Sequence, residues 1–579
     1  SPVQMVGDLY ASGMDTNAIN KAGLSVIKTQ LDRIQAITDV TSLTKAIATM
    51  QTEGFNPLFG FYVGPDDKEV TKNICNFSQA GLALPDRDYY LKEDKKDIRN
   101  KYVQHVMAMM KLSGDNENEA RTHANTIVEM ETALAQASMD RVTMRDPYKV
   151  YNKFSLAQFN VSTPGLNWKN ILADMWVKNQ DTILVATPDF FSAMADMFQK
   201  RPIADWKVYL KWHMIHRNAG FLGTAFDQEN FNFYGRTLRG QQEQKPRWKR
   251  ILAVVDGAVG EQLGKMYTDK YFTADAKKRM MELVNNLSVA YESRINQLDW
   301  MSAETKTKAK EKLHAFIKKI GYPDKWRDYS SLQISRASFM KNLIASNIFD
   351  YKYNISKLGK PVDRTEWGMT PPTVNAYYNP AFNEIVFPAG ILQYPFFDKN
   401  ADDAVIYGAI GGVIGHEMTH GFDDQGCEYA ADGNLKNWWT EEDKKQFEAK
   451  TKMVKEQYDA YTILGDKHVN GSLTLGENIA DLGGITIAYD AFKRTKQGKS
   501  QEMIDGFTPD QRFFLSWAQV WRANIRDEEA STRLVTDPHS PGIHRCNGPL
   551  SNFDPFYVAF QVQPGQKMYK PQAERAKVW

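Results

Sequence analysis

Gly415-His416-Glu417-Met418-Thr419-His420 closes an apolar run that begins at Asp402, and the fold turns on how that run is read. Asp402 and Asp403 suit a helix N-terminus, and Ile406, Ile410, Val413 and Ile414 recur at helical spacing as a buried stripe. The pattern predicts one buried helix from Asp402 to His420. Gly408, Gly411, Gly412 and Gly415 imitate a phosphate loop, but no strand leads into them and no Gly-Lys-Ser/Thr follows, so they are assigned to close helix packing. Residues four apart lie about 40° apart around a helix and one turn along it. The imidazoles of His416 and His420 can therefore reach one ion, while Glu417 flanks the same face and can hold the attacking water. Zinc at such a site polarises a scissile carbonyl and acidifies that water, and the glutamate takes the proton and returns it to the leaving amine.

Chance is a poor explanation of the string. With 10 histidines and 70 acids in 579 residues, roughly 0.02 His-acid-x-x-His strings are expected. A hydrolytic zinc site wants a third protein ligand and an open fourth position. Downstream, Gly476-Glu477-Asn478-Ile479-Ala480-Asp481 places two acids four apart with apolar residues between them. Glu477 fits as the third ligand, and Asp481 as the acceptor of a liganding histidine's other N–H. Taken alone, this pair reads equally well as a solvated acidic helix face.

Lys and Arg number 72 against 70 Asp and Glu, for a formal charge of +2, which argues against a nucleic-acid partner. A chain 42% apolar and 579 residues long can bury more than one core, so two lobes are expected. The longest run of apolar residues and glycine, Ala404 to Gly415, is 12 residues, short of the about 20 a bilayer span needs. Three cysteines, Cys75, Cys427 and Cys546, make no disulfide framework. The first 300 residues read as mostly helical: Ile98, Tyr102, Val103, Val106, Met109 and Met110 form one stripe before Gly114, and Ala124, Ile127, Val128, Leu134 and Ala135 form the next. After Tyr353 the helical pattern breaks at Lys360-Pro361 and Pro371-Pro372, and Val374 to Tyr378 and Glu384 to Phe387 read as short strands around the turn at Asn379-Pro380. A boundary near residue 365 divides the chain into 1–365 and 366–579.

These features taken together resemble the neprilysin-like (M13) zinc metallopeptidases, and among them the bacterial oligopeptidase O type. The resemblance runs through Gly81 to Tyr90, Lys319 to Pro323, Val374 to Tyr378, Ile385 to Leu392, Gly415 to Asp424, Gly476 to Asp481, His539 to Gly542 and the terminal Val578-Trp579. It implies a mainly α fold with a small β component: a two-lobed zincin of the gluzincin type, with a thermolysin-like catalytic lobe and a large helical lobe roofing the active-site cavity. By the same resemblance His416, His420 and Glu477 bind one zinc ion per chain, Glu417 is the general base and acid, and Asp481 orients His416. Asp423 is the partner expected for His420. His539, oriented by Asp537, stabilises the oxyanion. Arg545 holds a substrate carbonyl, Asn375 and Ala376 hold the peptide in extended form, and Ile391, Phe396, Val413 and Trp521 line the S1′ pocket, a set that ordinary core packing would also explain. His544 neighbours Arg545 but matches no functional position.

The expected activity is endopeptidase cleavage of oligopeptides on the amino side of bulky hydrophobic residues. The expected location is extracytoplasmic, with any signal or anchor upstream. Two departures from the family stand out. Animal members are rich in disulfides, so three cysteines look bacterial, and Cys427 and Cys546 lie near the active-site motifs. Members also carry an aromatic, Gly-rich segment upstream of the point where this chain opens. Either that piece persists as a separate N-terminal fragment of the same precursor or the site is incomplete; the former is favoured, since its removal would expose apolar surface. The competing function is a non-catalytic, zinc-containing peptide-binding or sensing protein, which would have no use for Glu417. An aminopeptidase would want an acidic anchor for the substrate amine, such as a Gly-x-Met-x-Asn-like motif, and none is present.

Overall fold

The computed structural model describes residues 1–579. Two cores of nearly equal size, 55 and 53 buried residues, hold the molecule, so neither lobe is an appendage of the other. The first gathers Ile27 to Leu238 and Met340. The second gathers Phe272 to Ile320 with Ala376 to Trp579. A single cut near residue 365 therefore does not separate the packing: the chain enters the second core at Phe272, returns to the first at Met340, and crosses again. The physical reason is that the strand Ile317–Gly321 must reach Glu384–Pro388, its parallel neighbour.

The first lobe is mainly helical. Helices α1 (Lys96–Leu112) and α2 (Glu117–Ala137) turn the expected stripes to the core, with Ile98, Val103 and Val128 only half-buried at its edge. Gly114 at φ +107° turns the chain out of α1, where any Cβ would be strained. Asn116 and Glu119 then close a reciprocal capping box on α2. A four-stranded sheet in this lobe has the order β1-β2-β4-β3, from β1 (Phe59–Asp66), β2 (Glu69–Gln79), β3 (Lys153–Ser155) and β4 (Thr182–Val185). The β1–β2 hairpin reaches the catalytic lobe, where Val70 N donates to Asn434 Oδ1 at 3.0 Å.

In the second lobe β5 (Ile317–Gly321), β6 (Tyr377–Asn379) and β7 (Glu384–Pro388) form a sheet of order β5-β7-β6. The strand expected at Val374 to Tyr378 begins at Tyr377, because only Tyr377, Tyr378 and Asn379 find partners on β7. Val374, Asn375 and Ala376 run on unpaired, with Val374 64% exposed. No helix is long and apolar enough to cross a membrane.

The run from Asp402 to His420 is helical, with one difference from expectation. A π turn, Tyr407–Gly411, lies between Asp403–Ile406 and α3 (Gly412–His420). Its cause lies outside the helix: Ile410 N leaves the ladder and donates to Phe396 O at 3.0 Å. A π turn within a helix often marks a functional site. Helix α3 crosses α4 (Leu475–Phe492) at glycines. A Cβ on Gly415 would stand 2.6 Å from Gly484 O, and one on Gly484 2.7 Å from both Gly412 O and His416 N. The two backbones touch, and this contact brings the acids of α4 beside the histidines of α3.

Candidate active site

His416 Nε2 and His420 Nε2 are 2.9 Å apart, and Glu477 Oε2 lies 3.2 Å from the first and 3.5 Å from the second. Four tetrahedral zinc ligands at 2.0–2.1 Å stand about 3.3 Å from one another, which these separations bracket. Glu477 Oε2 is buried and accepts no hydrogen bond, and a buried carboxylate oxygen left so calls for a cation. Two nitrogens and one carboxylate oxygen form a donor set that suits zinc. The residues present fit the ion.

The other ring nitrogens are held. His416 Nδ1 bonds Asp481 Oδ1 at 2.8 Å, and His420 Nδ1 bonds Asp423 Oδ2 at 2.7 Å. With Nδ1 carrying the proton, each Nε2 lone pair is left for a metal. Asp423 is itself fixed, its Oδ1 accepting from Gln425 N at 2.9 Å and Gly426 N at 2.6 Å. Burial alone would raise the Glu477 carboxyl, but the facing rings of His420, His416 and His539 outweigh it and hold it well below the usual range. Glu417 goes the other way: burial pushes its carboxyl up, against the pull of His416 and His420. It is only 5% exposed.

Arg545 does more than the resemblance implies. Its Nε and Nη2 donate to Asp481 Oδ2 and Oδ1 at 2.8 and 2.9 Å, and its guanidinium carbon lies 4.1 Å from the centre of the Trp521 ring. The forked pair keeps Asp481 ionised against its own burial. A chain of contacts thus runs from Arg545 through Asp481 to His416. His539 Nδ1 bonds Asp537 Oδ1 at 2.7 Å while Nε2 faces Glu477 Oε2 at 3.2 Å.

One cavity of about 460 Å³ is lined by His416, Glu417, His420, Asp423, Glu477, His539 and Arg545, by Asn375 and Ala376, and by Ile391, Phe396, Val413 and Trp521. Asp481 and Asp537 stand behind it. Ile391 and Val413 also belong to the second core, so being core and lining the cavity are not exclusive. Tyr377, from the Val374 to Tyr378 segment, lines it too, as do Trp517 and Gln425, which carried no sequence signal beyond being aromatic or amide. His544 faces elsewhere, stacked on Tyr461 at 4.3 Å. Cys427 and Cys546 are both free and buried. Arg145, from the other lobe, reaches Asp424 at 2.8 Å; no local spacing announced it.

Two imidazoles one helical turn apart, a glutamate from a crossing helix and a cleft edged by unpaired strand define a metallopeptidase of the gluzincin kind. The chain belongs to peptidase family M13, whose N-terminal model matches residues 1–323 and whose catalytic model matches residues 375–576. An endothelin-converting enzyme homolog from Locusta migratoria is 35% identical over 561 residues, 93% of this chain and 77% of the relative. The inhibitor complex of Mycobacterium tuberculosis zinc metalloprotease Zmp1 is 42% identical, with a TM-score of 0.96 over 100% of this chain and 89% of that one. The open state of Zmp1 gives a TM-score of 0.74 at the same 42% identity, over 100% of this chain and 91% of that one. Nothing among these relatives supports a separate N-terminal fragment.

Proposed function

We propose that the protein is a zinc-dependent endopeptidase that cuts oligopeptides on the amino side of bulky hydrophobic residues, with one zinc ion per chain. The observation that carries this is Glu417, which lies beside three converging ligand atoms without being one of them, buried, and with its carboxyl pushed up. Those are the properties of a group that takes a proton and gives it back. Held by His416, His420 and Glu477, zinc would supply Lewis-acid polarisation of the scissile carbonyl and acidify the attacking water. Glu417 accepts the water's proton and passes it to the departing amine. Asp481 and Asp423 keep both imidazoles in one tautomer throughout. His539, braced by Asp537, would donate to the carbonyl oxygen as it gains charge.

The backbone at Asn375 and Ala376, which continues β6 beyond its ladder to β7 and has the Ala376 N–H engaged only by the neighbouring Asn375 Oδ1, offers a substrate the hydrogen bonds of an added strand. Ile391, Phe396, Val413 and Trp521 take the side chain on the carboxyl side of the cut. A cavity of about 460 Å³ has room for a short stretch of extended peptide. A structural zinc would be closed by four protein ligands, which disfavours a non-catalytic binding protein. An extracytoplasmic site of action is part of the proposal and rests on the family resemblance. The test is incubation of zinc-loaded protein with a mixed peptide pool, followed by mass spectrometry of the cut positions. Cuts before Phe, Leu, Ile or Trp are expected; a preference for acidic residues there, or efficient digestion of folded globular proteins, would overturn the specificity.

A further inference from the structure

Arg145 follows α2 on the helical lobe, and its guanidinium crosses to the catalytic lobe. Its Nη2 donates to both oxygens of Asp424, at 2.9 and 2.8 Å, with the two side chains 14% and 24% exposed. Its carbonyl accepts a hydrogen bond from Gln425 Nε2. Residues 424 and 425 are thus both held by one residue of the opposite lobe, and the residue just before them, Asp423, is the one that bonds His420 Nδ1. The second ligand segment is close as well. A Cβ on Gly476 would stand 2.8 Å from Asp424 Oδ1, 2.9 Å from Arg145 Nη2 and 3.0 Å from Asp423 Oδ2, and Gly476 immediately precedes Glu477. Three carboxylates, Asp423, Asp424 and Glu477, act on the charge of this one guanidinium. Arg145 is wedged between the segments that carry two of the three metal ligands, yet it belongs to the lobe that carries none.

We propose that Arg145 is a positioning residue that completes the zinc site only when the two lobes are closed. In the closed arrangement its ion pair with Asp424 and its backbone bond to Gln425 fix the loop behind His420 and offset the charge of three neighbouring carboxylates. Separating the lobes withdraws both contacts together, because they belong to one residue. The loop then keeps its own amides on Asp423 and Lys312 Nζ on Gly426 O, but residues 424 and 425 lose their hold and Asp424 is left without its partner. The consequence is a size gate set by chemistry as well as by space. A peptide short enough to be enclosed allows Arg145 to dock and the site to work, whereas a protein too large to be enclosed keeps Arg145 away from Asp424. A relative has a form described as open, and that form matches this structure less closely than its inhibitor-bound form does.

The test uses the zinc-loaded full chain with Arg145→Gln, Asp424→Asn and the double variant. Three quantities are read: kcat and KM on one short fluorogenic peptide, the rate at which zinc passes to a chromophoric chelator, and the thermal midpoint. Each single variant is expected to lower kcat by about 10-fold or more with KM within about 3-fold, and to speed zinc transfer by about 10-fold, as for loss of an outer-shell partner. The double variant should be no worse than the worse single one, since both substitutions remove one contact. The thermal midpoint should move little. Single variants with kcat within 2-fold of wild type, unchanged zinc transfer, or additive losses in the double variant would overturn the proposal. The kinetic arm rests on the peptidase function proposed above. If the wild type cuts no peptide, that function fails, and the zinc-transfer rates alone decide whether Arg145 supports the site.

Discussion

The crossing of α3 and α4 is where packing becomes chemistry, and Gly484→Ala isolates it. The new methyl would stand 2.7 Å from Gly412 O, 2.7 Å from His416 N and 3.0 Å from His416 Cα. All three are backbone atoms, so no side chain can rotate away. Ordinary contact begins at 3.4 Å, so the helices must part by about 0.7 Å, whereas zinc sites tolerate ligand displacements of about 0.2 Å. Glu477 and Asp481 ride on α4 and both histidines on α3, so the displacement falls across the ligand set. Overpacking of this kind costs about 1–3 kcal/mol.

The expected result is a lowered thermal midpoint together with zinc affinity reduced about 10-fold or more, measured by competition with a chromophoric chelator. Gly411→Ala is the control. It lies in the same helical run, its added methyl would meet nothing closer than 3.4 Å, and alanine is the better helix former, so it should leave zinc binding and stability unharmed. If Gly484→Ala binds zinc within 2-fold of wild type with an unchanged midpoint, the backbone contact does not set the ligand geometry and the reasoning fails.

Glu417→Gln should keep zinc and lose at least about 100-fold in kcat, because the amide cannot take a proton, whereas Glu477→Gln should lose zinc; metal analysis beside kinetics distinguishes them, and reversed zinc contents would refute the assignment. Arg545→Ala should lower kcat as well as raise KM, because it frees Asp481 behind His416 in addition to removing a donor from the cleft; a pure KM effect would show that the Asp481 pairing is idle. Asp67, at the β1–β2 turn, has its carboxyl pushed up to about 6 from 3.8 by burial and by neighbouring Asp66. Between those two values the folded state binds more protons than the unfolded one, so this group lowers stability as pH rises through the window. Asp67→Asn should therefore raise stability at pH 7.5 by an amount on the order of 1–2 kcal/mol, read as a higher thermal midpoint, with the gain gone near pH 4; an equal gain at both values would refute the electrostatic cause.

What the amino-acid sequence discloses here is what one helix can hold. The spacing of His416 to His420, and of Glu477 to Asp481, is a statement about faces of single helices, and it carries the three residues that could hold a metal and the acid that bonds His416. The stripes of α1 and α2 are legible for the same reason. Relations between distant segments leave no such local trace. The π turn depends on Phe396 O capturing Ile410 N, and the second core needs Phe272 to Ile320 to leave the neighbours that their order along the chain suggests. Arg145 and Asp424 lie 279 residues apart.

Arg545 shows the same limit within the site. A motif gives a residue one role, whereas burial obliges every charge to find a partner. Asp481 is fully buried and accepts from His416 through one oxygen; its remaining lone pairs need donors, and an arginine fork supplies two with the right geometry. Arg545 lines the cleft and is also the residue that keeps Asp481 ionised, so the cleft and the His416 side of the site are electrostatically one unit. Substitutions at Arg545, Asp481 and His416 should accordingly be non-additive, with an Arg545→Ala, Asp481→Asn double variant losing little more kcat than Asp481→Asn alone. Additive losses measured on one peptide would mean that Arg545 acts on the substrate alone.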